Sequence, residues 1–281
     1  MGFFPGLVNR PRNKHPLGCG KENGGGISVL RLARYLYAAA AVLCLPLTGQ
    51  IAEPILAHSA LPLSAGAGAL KLDYAREQGR SGADAEVIPE VMLETGVGRG
   101  LEAILRYPLL RFKEGFELPA TLGGGQLAIG ARYLILGGAG QRYVVSVQAV
   151  VEAPTGDTRL VGDATQVIPA LFSDWHPARE IAIHSNVLWD ESFGGSRHKA
   201  SFVQYDHAVV WLATAHLAPV LELTGSTNAA TGRTLLAGLP EVIFRKGAHL
   251  ELKAALPLGL NSQTPRFAVR FQVALFWGKR E

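Results

Sequence analysis

The chain has 281 residues, 48% of them hydrophobic and only 18% charged, whereas soluble domains carry roughly a quarter charged residues. Past residue 60 no run approaches the ~20 apolar residues of a membrane helix, so the apolar content is dispersed over short segments. Six of the 27 basic and two of the 23 acidic residues precede residue 60. The body is therefore neutral, and the net charge of +4 is no sign of a nucleic-acid partner. Cys19 and Cys44 also lie in that segment, which excludes a disulfide framework or thiolate metal site in the body.

The N-terminal segment reads as an export address. Arg31 and Arg34 form a basic region, Leu36 to Leu47 an apolar core of signal-peptide length, and Ala57-His58-Ser59 a cleavage context with small residues. Cleavage is expected near 59/60, dividing the chain into an extension with signal peptide, 1–59, and a mature body, 60–281. Pro46 and the short apolar run argue against a membrane anchor. Leu43 before Cys44 argues against lipidation. Residues 1–28 fit no targeting pattern, because Gly6 stands where myristoylation of Gly2 would want Ser or Thr. Initiation near Val29 is expected.

From residue 67 the chain repeats a period-2 hydrophobic pattern broken by Gly-rich stretches, the mark of strands with two unlike faces. "VIPEVMLETGV" sets Val87, Val91, Leu93 and Val97 against Glu90 and Glu94. "LEAILRY" sets Leu101, Ala103, Leu105 and Tyr107 against Glu102 and Arg106. "LAIGARYLI" opposes Leu127, Ile129, Ala131, Tyr133 and Ile135 to Gly130 and Arg132. "YVVSVQAVVEA" opposes Tyr143, Val145, Val147, Ala149 and Val151 to Ser146, Gln148 and Glu152. "LELKAALPL" opposes Leu250, Leu252, Ala254 and Leu256 to Glu251 and Lys253. The last, "PRFAVRFQVALFW", sets Phe267, Val269, Phe271, Val273, Leu275 and Trp277 against Arg270 and Gln272.

Twelve such segments are predicted, near 67–77, 86–97, 100–112, 124–137, 141–153, 163–173, 179–190, 200–215, 217–226, 233–245, 248–258 and 266–277. The sixth contains Pro169, and the eighth alternates imperfectly around Tyr205 to Val210. Connections alternate between short ("GVGRG", "GGAGQ", "HLAP", "KGAH", with "SDWHPARE" longer) and long, polar ones. An even strand count with alternating loop lengths is the organisation of an outer-membrane barrel. Tyr74, Tyr107, Tyr133, Tyr143, Trp189 and Trp277 lie towards segment ends, as an interfacial girdle requires. A β-propeller would show a repeat of about 40 residues, and the sequence has none. The predicted fold is all-β: a transmembrane antiparallel up-and-down barrel of about 12 strands.

In hydrocarbon every backbone polar group must pair, so the last strand must hydrogen-bond the first. The polar faces then enclose a lumen lined by Glu90, Glu94, Glu102, Arg106, Arg132, Gln148, Glu152, Glu222, Glu241, Arg245, Glu251, Lys253, Arg270 and Gln272. Both signs are mixed. A self-neutralising filling and a wet passage of weak charge preference are both compatible with that pattern. Twelve strands fall between the packed interior of eight and the open channel of sixteen.

Five stretches in order, "PEVMLETGVGRGLEAILRYPL", "GGGQLAIGARYLI", "VVEAPTGDTR", "VLELTGSTN" and "ELKAALPLGLNSQTPRFAVRFQVALFW", resemble the outer-membrane barrel family named for the meta-pathway of phenol degradation. The resemblance spans about 67 to 277 and implies a transporter of small apolar or aromatic compounds. The chain departs from the pattern by extending through "GKRE" beyond Trp277, where such barrels end on an aromatic residue read by the assembly machinery.

Other motifs read as structure. "PTGD" (Pro154 to Asp157) is a turn. In "IHSN", His184 and Ser185 are adjacent on a strand and point to opposite faces, which argues against a serine hydrolase built on that pair. His176, His184, His198, His207, His216 and His249 show no ligand-pair spacing repeated on one face. No cofactor or metal is expected. The expected partners are outer-membrane lipids, the barrel assembly machinery and a small-molecule solute, in the outer membrane of a Gram-negative-type bacterium. A passive channel is the first expectation. A structural or surface-binding barrel without transport, or a barrel hydrolase, are the alternatives.

Overall fold

The alternating segments form strands because each has one face suited to an apolar and one to a polar neighbourhood. In the computed structural model the described residues are 53–78, 84–113, 121–195 and 201–278. The predicted basic and apolar parts of the leader lie outside them, as do the last three residues of the tail. The strands are β1 (Gly68–Gln78), β2 (Asp84–Gly98), β3 (Leu101–Lys113), β4 (Thr121–Gly124), β5 (Leu127–Leu136), β6 (Tyr143–Ala153) and β7 (Thr165–Ala178). They continue as β8 (Ile181–Phe193), β9 (Ser201–Trp211), β10 (Leu217–Asn228), β11 (Thr234–Lys246), β12 (Leu250–Ala255), β13 (Leu258–Gly259) and β14 (Phe267–Trp277). A short helix, Thr158–Val161, sits between β6 and β7.

Two of these segments are continuations rather than separate staves. β4 pairs with the far half of β3 and β5 with its near half, and β12 and β13 likewise share β11 and β14. The outcome is a closed barrel of twelve antiparallel staves. Its seam runs along β1 and β14, from Gly68 opposite Trp277 to Gln78 opposite Phe267, which is the closure a sheet in lipid requires.

The two faces separate by composition. Leu105, Ile129, Val147, Leu171, Val187, Val209, Leu221 and Phe271 are exposed on the outer wall. Their strand neighbours Glu102, Arg132, Ser146, Asn186, Ala208, Glu222 and Gln272 are buried inside. Tyr133, Tyr143, Trp175, Trp211 and Trp277 are exposed near the end with the short turns, where Tyr143 and Trp175 stack with ring centroids 6.3 Å apart. Trp277 covers Gly68 and Tyr205 covers Gly225, each aromatic filling the place of a missing side chain on the paired strand.

Three local expectations are corrected. Val87 is buried with Ala75 and Leu110 instead of sharing the outer face with Val91 and Leu93. The β2–β3 register shifts between Val87 and Glu90, where Pro89 lies, and the irregularity reverses the side-chain parity above it. "SDWHPARE" is not a long connection: β7 runs to Ala178, with a register shift between Trp175 and Ala178, leaving Arg179 and Glu180 as the turn. The eighth segment forms a strand only to Trp211 and alternates over its second half, since Gln204, Asp206, Ala208 and Val210 are buried while His207, Val209 and Trp211 are exposed. It looked irregular only because a histidine faces out and two apolar residues face in. Pro169 is accommodated within β7 opposite Ala149 of β6.

Residues 53–67 form no strand, and 53–63 lie within the lumen. The expected boundary at 59/60 falls inside this strap. Replacing Val187, exposed at the middle of β8, by Arg should destabilise the folded barrel in vesicles by about 2–4 kcal/mol. Urea unfolding in lipid measures it, and an unchanged midpoint would contradict the assignment of that face to hydrocarbon.

Candidate functional site

All fourteen residues predicted to line the lumen point inward. Glu90, Glu94, Glu102, Arg132, Glu222, Glu241, Arg245, Glu251, Lys253 and Gln272 are buried, and Arg106, Gln148, Glu152 and Arg270 are partly so. They do not form one cluster. Arg106 pairs with Glu152 across β3 and β6. Arg270 pairs with Asp73 at 2.7 Å across the seam. Arg245 lies 3.3 Å from Glu251, which also approaches Lys253 at 3.8 Å. Arg132 lies 3.7 Å from Glu102 and stacks over the Phe172 ring at 4.8 Å.

The remaining carboxylates meet the strap. The Leu63 N–H donates to Glu102 at 2.8 Å, and the Ala60 N–H and Ser59 hydroxyl both donate to Asp174 Oδ2 at 2.8 Å. The N–H groups of Ala57 and Leu56 converge on Glu222 Oε1 at 2.8 and 3.1 Å, and that of Ile55 donates to Glu241 at 3.1 Å. Arg132 donates to the Ser59 carbonyl at 2.8 Å. Asn186, its amide oriented by its partners, bonds the His58 backbone. Lys71 bridges Glu53 and Glu94 at 2.8 Å each. The strap thus touches β3, β5, β7, β8, β10, β11 and β1 in turn, following the inner wall around the barrel.

Its side chains fill what the carboxylates leave. Ile55 and Leu56 pack with Ala237, Leu239 and Ala255. Ala57 packs with Val210, Val220 and Ile243. Ala60 packs with Val144, Phe172 and Leu188. The wall is shaped to this path at Gly96, whose absent Cβ would lie 2.4 Å from the Leu63 carbonyl oxygen and 2.0 Å from that of Ser64. His58 Nδ1 donates to Glu53 at 2.9 Å. Burial, with the charges of Lys71 and Arg132, holds the His58 imidazole down at about 4 against the pull of Glu53, so it is neutral at physiological pH.

Sequence reasoning missed Lys71, Asp73, Asp174 and the strap itself. Lys71 and Asp73 alternate in "ALKLDYA" and carry the usual signal, whereas Asp174 lies in "SDWHPARE", whose composition is that of a connection. The strap acts through backbone N–H groups, for which no residue pattern stands. Among the described residues no group of three or more His, Cys, Asp and Glu is arranged to hold a metal ion.

In "IHSN", His184 is buried and bonded to Asp174 at 2.7 Å, while Ser185 faces outward. The two are separated as strand geometry requires. The histidine that meets Ser185 is His207, with Nδ1 2.9 Å from its hydroxyl on the outer wall. The neighbouring backbone of β7, β8 and β9 is engaged in ladder pairing.

A closed twelve-stave barrel with an apolar outer wall and a charged interior has the architecture of outer-membrane channels. No protein-family model matches the chain, and no curated protein matches it. Among solved structures it is similar to the COG4313 outer membrane channel from Pseudomonas putida F1, with a TM-score of 0.60 and 15% identity over 81% of this chain and 100% of that one. It is also similar to the NanC porin, with a TM-score of 0.52 and 9% identity over 75% of this chain and 99% of that one.

The seam pair supplies a test of the lumen geometry. Arg270→Met leaves the Asp73 carboxylate buried without its cation and should cost about 3–5 kcal/mol, with most of the loss restored by adding Asp73→Asn. Unfolding of the single and double variants in detergent measures the difference. Equal stability of Arg270→Met and wild type would contradict it.

Proposed function

We propose that the protein is an outer-membrane channel for the passive uptake of small solutes. The observation that carries this reading is a closed barrel whose interior is charged while its outer wall is apolar. The barrel fold shared with an outer membrane channel and a porin supports the same reading. The membrane location follows from the apolar outer wall with its aromatic girdle.

The solute class implied by the family resemblance, small apolar or aromatic compounds, is supported by the apolar clusters on the inner wall around Phe172, Leu239 and Ile243. No step requires a cofactor or an energy source. A hydrolase on the outer wall is disfavoured. Ser185 and His207 touch, but the backbone beside them is committed to ladder pairing and leaves no donors for an oxyanion.

Purified protein refolded into planar bilayers should give discrete conductance steps, and liposomes containing it should swell in isotonic small solutes. Absence of flux for every small solute would favour a barrel without transport. Phospholipid hydrolysis that disappears in Ser185→Ala would replace the channel reading with an enzymatic one.

A further inference from the structure

In formal charge the lumen is unbalanced. Among the described residues, ten buried carboxylates (Glu53, Asp73, Glu90, Glu94, Glu102, Asp174, Asp206, Glu222, Glu241 and Glu251) face four buried cations, Lys71, Arg132, Arg245 and Lys253. Adding the partly buried Arg106 and Arg270 together with Glu152 leaves the excess in place. The strap answers the geometry of this excess but not its charge. Its neutral N–H groups are aimed at Glu102, Asp174, Glu222 and Glu241, yet Glu222 Oε2 and Glu241 Oε1 keep no hydrogen-bond partner. On the same wall the Gln272 side chain is 2% exposed and both of its amide atoms are unpartnered. These are acceptor and amide groups built into the interior and left unused.

The strap also shows what shape satisfies the site. The strap residues whose N–H groups reach Glu222 and Glu241 bury their side chains in apolar clusters of the wall, Ile55 and Leu56 against Ala237, Leu239 and Ala255, and Ala57 against Val210, Val220 and Ile243. A ligand that repeats this pattern presents N–H donors from one end and an apolar body from the other, and supplies the positive charge that a backbone amide lacks.

We propose that residues 53–63 are an internal plug, and that small organic cations with an apolar body, aliphatic or aromatic ammonium compounds, displace it and take its place on Glu222, Glu241 and Asp174. The inference rests on the channel reading and names its solute class. The strap must then survive in the mature chain, which moves the proposed signal-peptide cleavage upstream of Glu53. Removing 53–59 would strip Asp174, Glu222 and Glu241 of donors they use. Gly96, whose side-chain position the strap carbonyls occupy, is the wall's own counterpart.

The first measurement is the N-terminus of the protein extracted from membranes, expected at or before Glu53. A mature chain starting at Ala60 overturns the proposal. The second compares wild type with a variant lacking 53–63 in planar bilayers, with heat-modifiable gel migration confirming that both fold. The deletion should conduct about tenfold more and should pass benzylammonium in preference to benzoate by about tenfold. Adding Glu222→Gln and Glu241→Gln to the deletion should remove most of that preference. Equal conductance of wild type and deletion overturns the plug, and a preference for benzoate overturns the solute class. Conductance without charge preference leaves the channel and removes this inference, whereas no conductance in any variant removes both.

Where the deletion fails to fold, Ala57→Cys in the full chain carrying Cys19→Ser and Cys44→Ser gives an independent reading, since residues 60–281 hold no cysteine. A cationic methanethiosulfonate should modify it about tenfold faster than an anionic one, as expected for a site in a carboxylate-lined lumen. Equal rates, or faster reaction with the anion, would contradict the proposal.

Discussion

The seam between β1 and β14 is the constraint on which the rest of the structure depends. A sheet surrounded by hydrocarbon has no water to satisfy a free edge. Once Gly68 to Gln78 pair with Phe267 to Trp277, every stave has two neighbours and the side chains divide into an outer and an inner set. Pairing of Arg270 with Asp73 places charged groups of both seam strands on the inner side. The apolar alternates, Phe271, Val273 and Leu275, are thereby committed to the outside.

Closure creates a second problem, a small interior crowded with ionised groups. A twelve-stave barrel is too wide to be filled by its own side chains and too narrow to be a large aqueous pore. Here cross-strand ion pairs settle part of the interior, and a strap from the chain's own N-terminal side settles much of the rest. The strap uses backbone N–H groups where another lumen would use water. Those bonds hold the carboxylates in place but bring no counter-charge and leave Glu222 Oε2 and Glu241 Oε1 without a partner, so the interior orders its carboxylates without satisfying them fully. That difference links the packing of the barrel to its proposed selectivity.

Most of the barrel was legible in the sequence because a strand records both of its environments in alternate residues. "YVVSVQAVVEA" and "LELKAALPL" have the predicted faces throughout. Reading failed where parity is not constant, as at Val87, where the irregularity beside Pro89 turns a valine inward. It failed at "SDWHPARE", whose polar composition suggests a loop although Asp174 is a lumen residue and Trp175 part of the girdle. The strap was unreadable for a different reason. "EPILAHSALP" has the composition of a cleavage region, and its role lies in main-chain donors that every residue but proline possesses. The inward direction of the charged residues was legible. Which of them pair with each other, and which hold the strap, depends on register and on contacts between positions more than a hundred residues apart, as with Ile55 and Glu241.

The most direct test of the account concerns the outer wall. The chain's four tryptophans, Trp175, Trp189, Trp211 and Trp277, are all exposed there. In protein reconstituted into vesicles, lipids brominated on their acyl chains should quench the intrinsic fluorescence strongly, while aqueous iodide should have little effect. Efficient quenching by iodide with none by brominated lipid would mean that water, not hydrocarbon, surrounds the barrel, and the channel would fall with it.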